Sequence, residues 1–109
     1  MELISYDDFK KLDMRIVKVV NVERIPRKNR ILKLTIEIGS GETRVMIAGG
    51  AEFYSQEDFL EKKFVALINL APKKIANIES CGMLLAAVSG QKPFWLSVDE
   101  DAPIGAKII

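Results

Sequence analysis

The sequence predicts an all-β fold with short helices, and three observations carry that reading. Leu32, Leu34, Ile36 and Ile38 alternate with Lys33, Thr35 and Glu37, the period of a strand with one buried face. Runs rich in Val, Ile and other apolar residues at 14–25, 43–48, 64–70 and 83–89 supply four more strands. Turn residues stand between the early strands: Pro26, then Gly39-Ser40-Gly41, then Gly49-Gly50. Ser55 followed by Asp58 marks a short helix between the third and fourth strands. The order strand, strand, strand, helix, strand, strand is that of the OB-fold, a five-stranded Greek-key barrel.

Each element has a local reason. Ser5 caps a short helix, with Asp8 closing a pair like a capping box. Phe9 and Leu12 share its apolar face and read as a lid over one end of the core. Strand 14–25 stops at Pro26, which has no N–H to give to a ladder. Arg27-Lys28-Asn29-Arg30 follows as a turn, and Gly39-Ser40-Gly41 as a hairpin. Phe59 and Leu60 supply the apolar side of the central helix. The connection 69–82 is polar and holds Pro72 and Gly82. The chain is long enough for one domain, 1–109, with a barrel at about 14–89 and a C-terminal extension at 90–109. That extension, with Phe94-Trp95-Leu96 and a Pro-Ile-Gly-Ala-Lys-Ile-Ile end, is too apolar to be a free tail. It pads the barrel or enters a second subunit, and a homodimer is the expectation.

Apolar residues at 49% and charged residues at 28% give the balance of a packed protein and exclude a disordered chain. Sixteen basic against fifteen acidic side chains leave a net charge of +1, which identifies no partner. The distribution is more telling. Nine basic and two acidic residues lie between Lys10 and Lys33, a local net of +7, while both termini are acidic. A single cysteine excludes an internal disulfide and points to a reducing compartment. No signal pattern and no run of roughly 20 apolar residues is present. The expectation is a cytoplasmic protein without membrane contact.

No catalytic residue is assigned. The chain has no histidine, and one cysteine builds no zinc site. No phosphate-binding or dinucleotide glycine motif appears, so neither a metal nor a cofactor is expected. The acidic groups Asp7-Asp8 and Asp99-Glu100-Asp101 lie beside the termini and read as solvated surface. Binding is the better class. In the OB-fold the loops after the first and fourth strands bind nucleic acids and sugars. Here those are 24–30, with Arg24, Arg27, Lys28 and Arg30, and 71–82, with Lys73 and Lys74. The basic loop residues therefore fall where the fold binds polyanions.

The connection Asn69, Leu70, Pro72, Lys73, Lys74, then Glu79, Ser80, Gly82 and Met83, resembles the tRNA-binding domains appended to, or associated with, methionyl-tRNA synthetases. The start, with Asp8, Phe9, Lys11, Asp13 and Arg15, is similar to the opening of the same family, as are the Leu-Lys-Leu-Thr-Ile-Glu-Ile-Gly strand and the Pro-x-Gly-x-Lys-Ile end. The resemblance covers essentially the whole chain. It departs from the family at Val17 and Asn77, where glycines are usual, at Ala48 in place of a serine, and at Cys81 in place of a polar residue. Asn77 keeps the turn feasible, because Asn tolerates a left-handed backbone. The resemblance implies tRNA binding by shape, without catalysis, by a homodimer partnered with methionyl-tRNA synthetase. It implies RNA contacts from Asn69, Asn77 and Ser80 as well as the loop cations. For Met83 two readings stand, a seat in the barrel or a place near the RNA. A chaperone-like peptide-binding role and a synthetase-assembly role are the alternatives.

Overall fold

The computed structural model describes residues 1–109. A short helix α1 (Tyr6–Lys10) leads into β1 (Met14–Ile25), β2 (Lys28–Gly39) and β3 (Glu42–Gly49). One 3-10 turn (Gln56–Asp58) precedes β4 (Lys63–Leu67). The rest comprises β5 (Lys73–Ile75), β6 (Ile78–Ser80), β7 (Met83–Leu84), β8 (Ala86–Ser89) and β9 (Lys92–Trp95). The main sheet runs β3-β2-β1-β4-β7, antiparallel at every pair, and curls into a nearly closed five-stranded barrel. This is the OB-type barrel that the element order predicts.

The barrel interior follows from the strand period. Leu32, Leu34, Ile36 and Ile38 of β2 all point inward and are buried. Met46 and Ala48 of β3, Phe64 and Ala66 of β4, and Leu84 of β7 meet them. Strand β1 shows no clean alternation, and the reason is a bulge. Val19 pairs with Ile36, but Asn21 pairs with Thr35, so Val20 is an extra residue. The bulge switches the inward parity. Val17 and Val19 face the core before it, and Val22 packs against the core after it. It also lets β1 pair with β4 over Met14–Lys18 and with β2 over Lys18–Ile25.

Phe59 plugs one end of the barrel. It is fully buried, with the rings of Phe64 and Trp95 at 5.8 and 5.6 Å. Its turn carries the capping box expected from Ser55 and Asp58. Helix α1 has the expected Ser5 cap, whose hydroxyl accepts from the Asp8 N–H at 3.1 Å. It buries no residue, however, so it is not the lid the sequence suggests. The Asp7 and Asp8 side chains instead pair with Lys10 and Lys11 one turn on.

Four further expectations are corrected. Lys28–Arg30 is strand rather than turn, because β1 and β2 are joined by Pro26-Arg27 alone. The fourth strand ends at Leu67 rather than residue 70. The fifth strand is broken. Met83–Leu84 closes on β4, and Ala86–Ser89 leaves to form a separate hairpin with β9. Within the strand it is Leu84 that is buried, while Met83 points outward at 45% exposure, so Met83 does not seat β7 in the barrel.

The C-terminal residues pair with their own barrel. The Ile16 N–H donates to the Ala106 carbonyl at 2.9 Å, and Gly105 and Ile108 donate to Ile16 and Met14 at 2.7 and 2.8 Å. Gly105 lies against Gly39, where an added Cβ would stand 3.1 Å from the Gly39 Cα, and its φ is +90°. The Lys63 ammonium pins the preceding loop by donating to the carbonyls of Glu100 and Ala102 at 2.6 and 2.7 Å.

The barrel closes along a seam between β3 and the β6–β7 corner. The Cys81 N–H donates to the Val45 carbonyl at 2.8 Å, and the Ser80 hydroxyl accepts from the Ile47 N–H at 3.0 Å. Gly82 makes this approach feasible. A Cβ there would stand 2.6 Å from Met46 Cε and 2.8 Å from the Leu67 carbonyl, with φ at +128°. Ser80→Ala strands a half-buried backbone donor at the seam. It is expected to lower unfolding free energy by about 1–3 kcal/mol in a denaturant titration. Equal stability of this variant and wild type would show that the seam does not depend on the hydroxyl.

Candidate nucleic-acid interface

Two hairpin tips form the candidate site. At the first, Ile25 pairs with Lys28 across Pro26-Arg27, and Arg27 takes a left-handed φ of +67°. The second lies in the connection 69–82, which is not a plain loop. It holds the β5–β6 hairpin, in which Ile75 pairs with Ile78 across Ala76-Asn77. Both turn residues are left-handed, with φ of +51° and +63°, the requirement of the tightest two-residue hairpins. Asn at 77 meets it at little cost. Ala at 76 supplies no turn signal, which is why the hairpin was not legible.

The two tips face each other across a cleft of about 610 Å³, lined by Ile25, Pro26, Arg27, Lys28, Lys74, Ala76 and Asn77. The basic loops that the sequence separates by more than forty residues therefore share one surface. Arg27, Lys28 and Lys74 are exposed and make no ion pair within the chain. Arg24 and Lys73 are also exposed and unpaired, but lie on the same hairpins outside the cleft lining. Arg30 sits 3.6 Å from the Glu52 carboxylate and is partly neutralised by it. Asn77 is exposed at the cleft and its amide makes no hydrogen bond within the protein.

Ser80 and Asn69 are engaged by the fold. Ser80 is buried, and its hydroxyl is engaged by the Ile47 N–H and the Gly82 carbonyl. The Asn69 amide ties the start of β1 to the end of β4. Its oxygen accepts from the Asp13 N–H at 2.8 Å and its nitrogen donates to the Lys11 carbonyl at 2.6 Å. Met83 is exposed on β7 and is not part of the cleft lining.

Beside Asn69 is an ion pair between two residues of the opening motif, Asp13 and Arg15. Arg15 grips Asp13 bidentately, Nε to Oδ1 and one terminal nitrogen to Oδ2, both at 3.0 Å. The hydrogen bond from Arg15 holds the Asp13 carboxyl below the usual carboxylate range, and the same bond raises Arg15. Asp13 is thus more acidic folded than unfolded. Its contribution is complete above the unfolded value of about 3.8 and is lost as pH falls through the folded one. No group of three or more His, Cys, Asp or Glu side chains is placed to hold a metal, and no helix is long and apolar enough to cross a membrane.

A small, nearly closed five-stranded barrel with hairpins after its first and fourth strands has the architecture of the oligonucleotide- and oligosaccharide-binding fold. The comparisons narrow this. Residues 14–107 match the family model described as "Putative tRNA binding domain", and the chain belongs to that family. It is 45% identical over 105 residues to part of the methionine–tRNA ligase of Thermotoga maritima, and 38% identical over 108 residues to part of that of Pyrococcus furiosus. These matches take in 96% and 99% of the chain but only 16% and 15% of those enzymes. A methionyl-tRNA synthetase-related protein from Pyrococcus horikoshii superposes with a TM-score of 0.93 at 35% identity, covering 100% of both chains. The chaperone CsaA from Bacillus anthracis superposes at 0.88 with 28% identity, covering 99% of this chain and 100% of that one. The domain is a tRNA-binding module related to part of methionyl-tRNA synthetase and is not that enzyme's catalytic part.

The acid limb of the stability curve tests the Asp13–Arg15 pair. Stability of the wild type is expected to fall steadily as pH drops below about 4. In Asp13→Asn that fall is shallower, because the variant has no such proton to bind. Parallel curves for the two proteins would remove the pair from the account.

Proposed function

We propose that the chain binds folded tRNA by shape, without catalysis, and helps methionyl-tRNA synthetase by delivering or retaining its tRNA. The observation that carries this reading is the cleft, where Arg27, Lys28 and Lys74 of two separate hairpins stand unpaired and exposed together. Folded tRNA presents a fixed arrangement of phosphates and 2′-hydroxyls with most bases stacked away. Cations fixed on two tight turns are suited to such an arrangement. Arg24 and Lys73 extend the charge along the same hairpins. Neither loop carries the aromatic platforms of a general single-strand binder. The chain works in this reading as one domain, with barrel 14–89 and extension 90–109, in the cytoplasm. Methionyl-tRNA synthetase is the partner suggested by the ligases it matches. A homodimer remains part of the proposal, but its support is no longer the terminal residues, which pair with their own β1. It is instead the apolar outer surface at Val88, Phe94 and Leu96, exposed at 70, 47 and 43%.

That same surface, together with the likeness to CsaA, favours a second reading, in which the barrel holds apolar peptides. The two readings use opposite chemistry, and salt separates them. Binding of bulk tRNA is expected to exceed that of an unstructured RNA of equal length and to weaken steeply with salt. Lys74→Glu is expected to weaken tRNA binding and to reduce the slope of log K against log salt by about one. Equal binding of both RNAs reduces the activity to general polyanion attraction. Absence of binding at low salt moves the weight to the peptide reading.

A further inference from the structure

The cleft is more than a basic surface. Most of its lining is polar, but Ile25, Pro26 and Ala76 contribute apolar surface between the cations, and Asn77 lines it with them. Phosphates alone would leave those apolar side chains without a partner. An A-form duplex offers a protein its phosphates and a wide minor groove, with base faces stacked out of reach. A base that has left the stack offers both missing partners: a flat face for Ile25, Pro26 and Ala76, and a polar edge for the Asn77 amide. We propose that the cleft seats one unstacked nucleotide of the RNA, its base against Ile25, Pro26 and Ala76, with Arg27, Lys28 and Lys74 on the flanking phosphates and Asn77 reading the base edge. The inference rests on the reading of this cleft as the RNA site.

Asn77 is singled out by elimination among the polar residues that the sequence nominates. Asn69 and Ser80 have their hydrogen-bonding atoms engaged by the barrel. Asn77 has all of its side-chain hydrogen-bonding capacity free, one acceptor and one donor group. That pair can meet a donor and an acceptor on one base edge, as asparagine does with adenine. Its left-handed backbone, φ +63°, allows a clean test, because glycine accepts the same conformation.

The experiment uses four ribotrinucleotides, U-X-U with X each of the four bases, titrated at low salt against the full chain. Wild type is expected to prefer one central base by about fivefold or more, the size of a bidentate amide contact. Asn77→Gly keeps the turn and loses the preference, with the salt slope unchanged. Asn77→Asp, which turns the amide donor into an acceptor, alters which base is preferred. Lys74→Glu weakens all four trinucleotides alike. Equal binding of the four by wild type, unmeasurable trinucleotide binding, or a preference that survives Asn77→Gly would each overturn the inference. Bulk tRNA separates this failure from failure of the broader reading. If Lys74→Glu weakens tRNA binding while the trinucleotides show no preference, only the base seat falls. If Lys74→Glu leaves tRNA binding unchanged, the cleft is not the RNA site and both fall.

Discussion

The barrel closes along one narrow seam, and the Ser80 hydroxyl accepts one of the hydrogen bonds that hold it. Strand β7 pairs with β4 at only two positions, Leu67 with Met83 and Ala66 with Leu84. It is too short to complete a ladder with β3. The seam is closed instead by one side chain and one backbone bond, Ser80 to Ile47 and Cys81 to Val45. An unmet donor at Ile47 would be an edge, and edges attract other strands. Gly82 admits the close approach, with Met46 and the Leu67 carbonyl where its side chain would lie. The position of the β5–β6 hairpin depends on this seam, because Ser80 is also the last residue of β6. A hydrogen bond in the barrel wall thereby fixes where Lys74 and Asn77 stand.

The second anchor lies at the other side of the same segment. Asn69 ties the exit of β4 to the chain before β1, and the Arg15–Asp13 pair steadies that junction. The residues between the two anchors, 70–79, are held at both ends while their tip is free to meet a ligand. The division of labour is physical. Polar side chains whose atoms are engaged within the chain hold the segment's ends, and charged side chains with no partner face outward. Pro26-Arg27 at the opposite tip is fixed by strand pairing alone, through Ile25 and Lys28.

The fold was legible because the clearest signal in the chain, the alternation in β2, belongs to the strand that contributes most to the core. Strand β1 was found but not its parity, since a bulge at Val20 leaves no mark in an apolar run. The basic residues of the site were legible as loop charges. Their convergence was not, because it depends on a hairpin turned by Ala76-Asn77 without glycine. The motif around Ser80 is visible in the sequence, but its part in closing the barrel is not. Sequence shows that a hydroxyl is present, and only the folded barrel shows that Ile47 needs it. Extension 90–109 was legible as apolar, and the pairing of its end, residues 105–108, with β1 required the register.

The central claim is that two hairpin tips distant in sequence act as one RNA-binding surface. The most direct measurement is the backbone amide spectrum of isotope-labelled protein titrated with folded tRNA. The account predicts that the largest changes fall together at Arg27, Lys28, Lys74, Ala76 and Asn77, with Ile47 and Cys81 at the seam unmoved. Changes confined to the β8–β9 surface around Val88 and Phe94, with both tips silent, would contradict it.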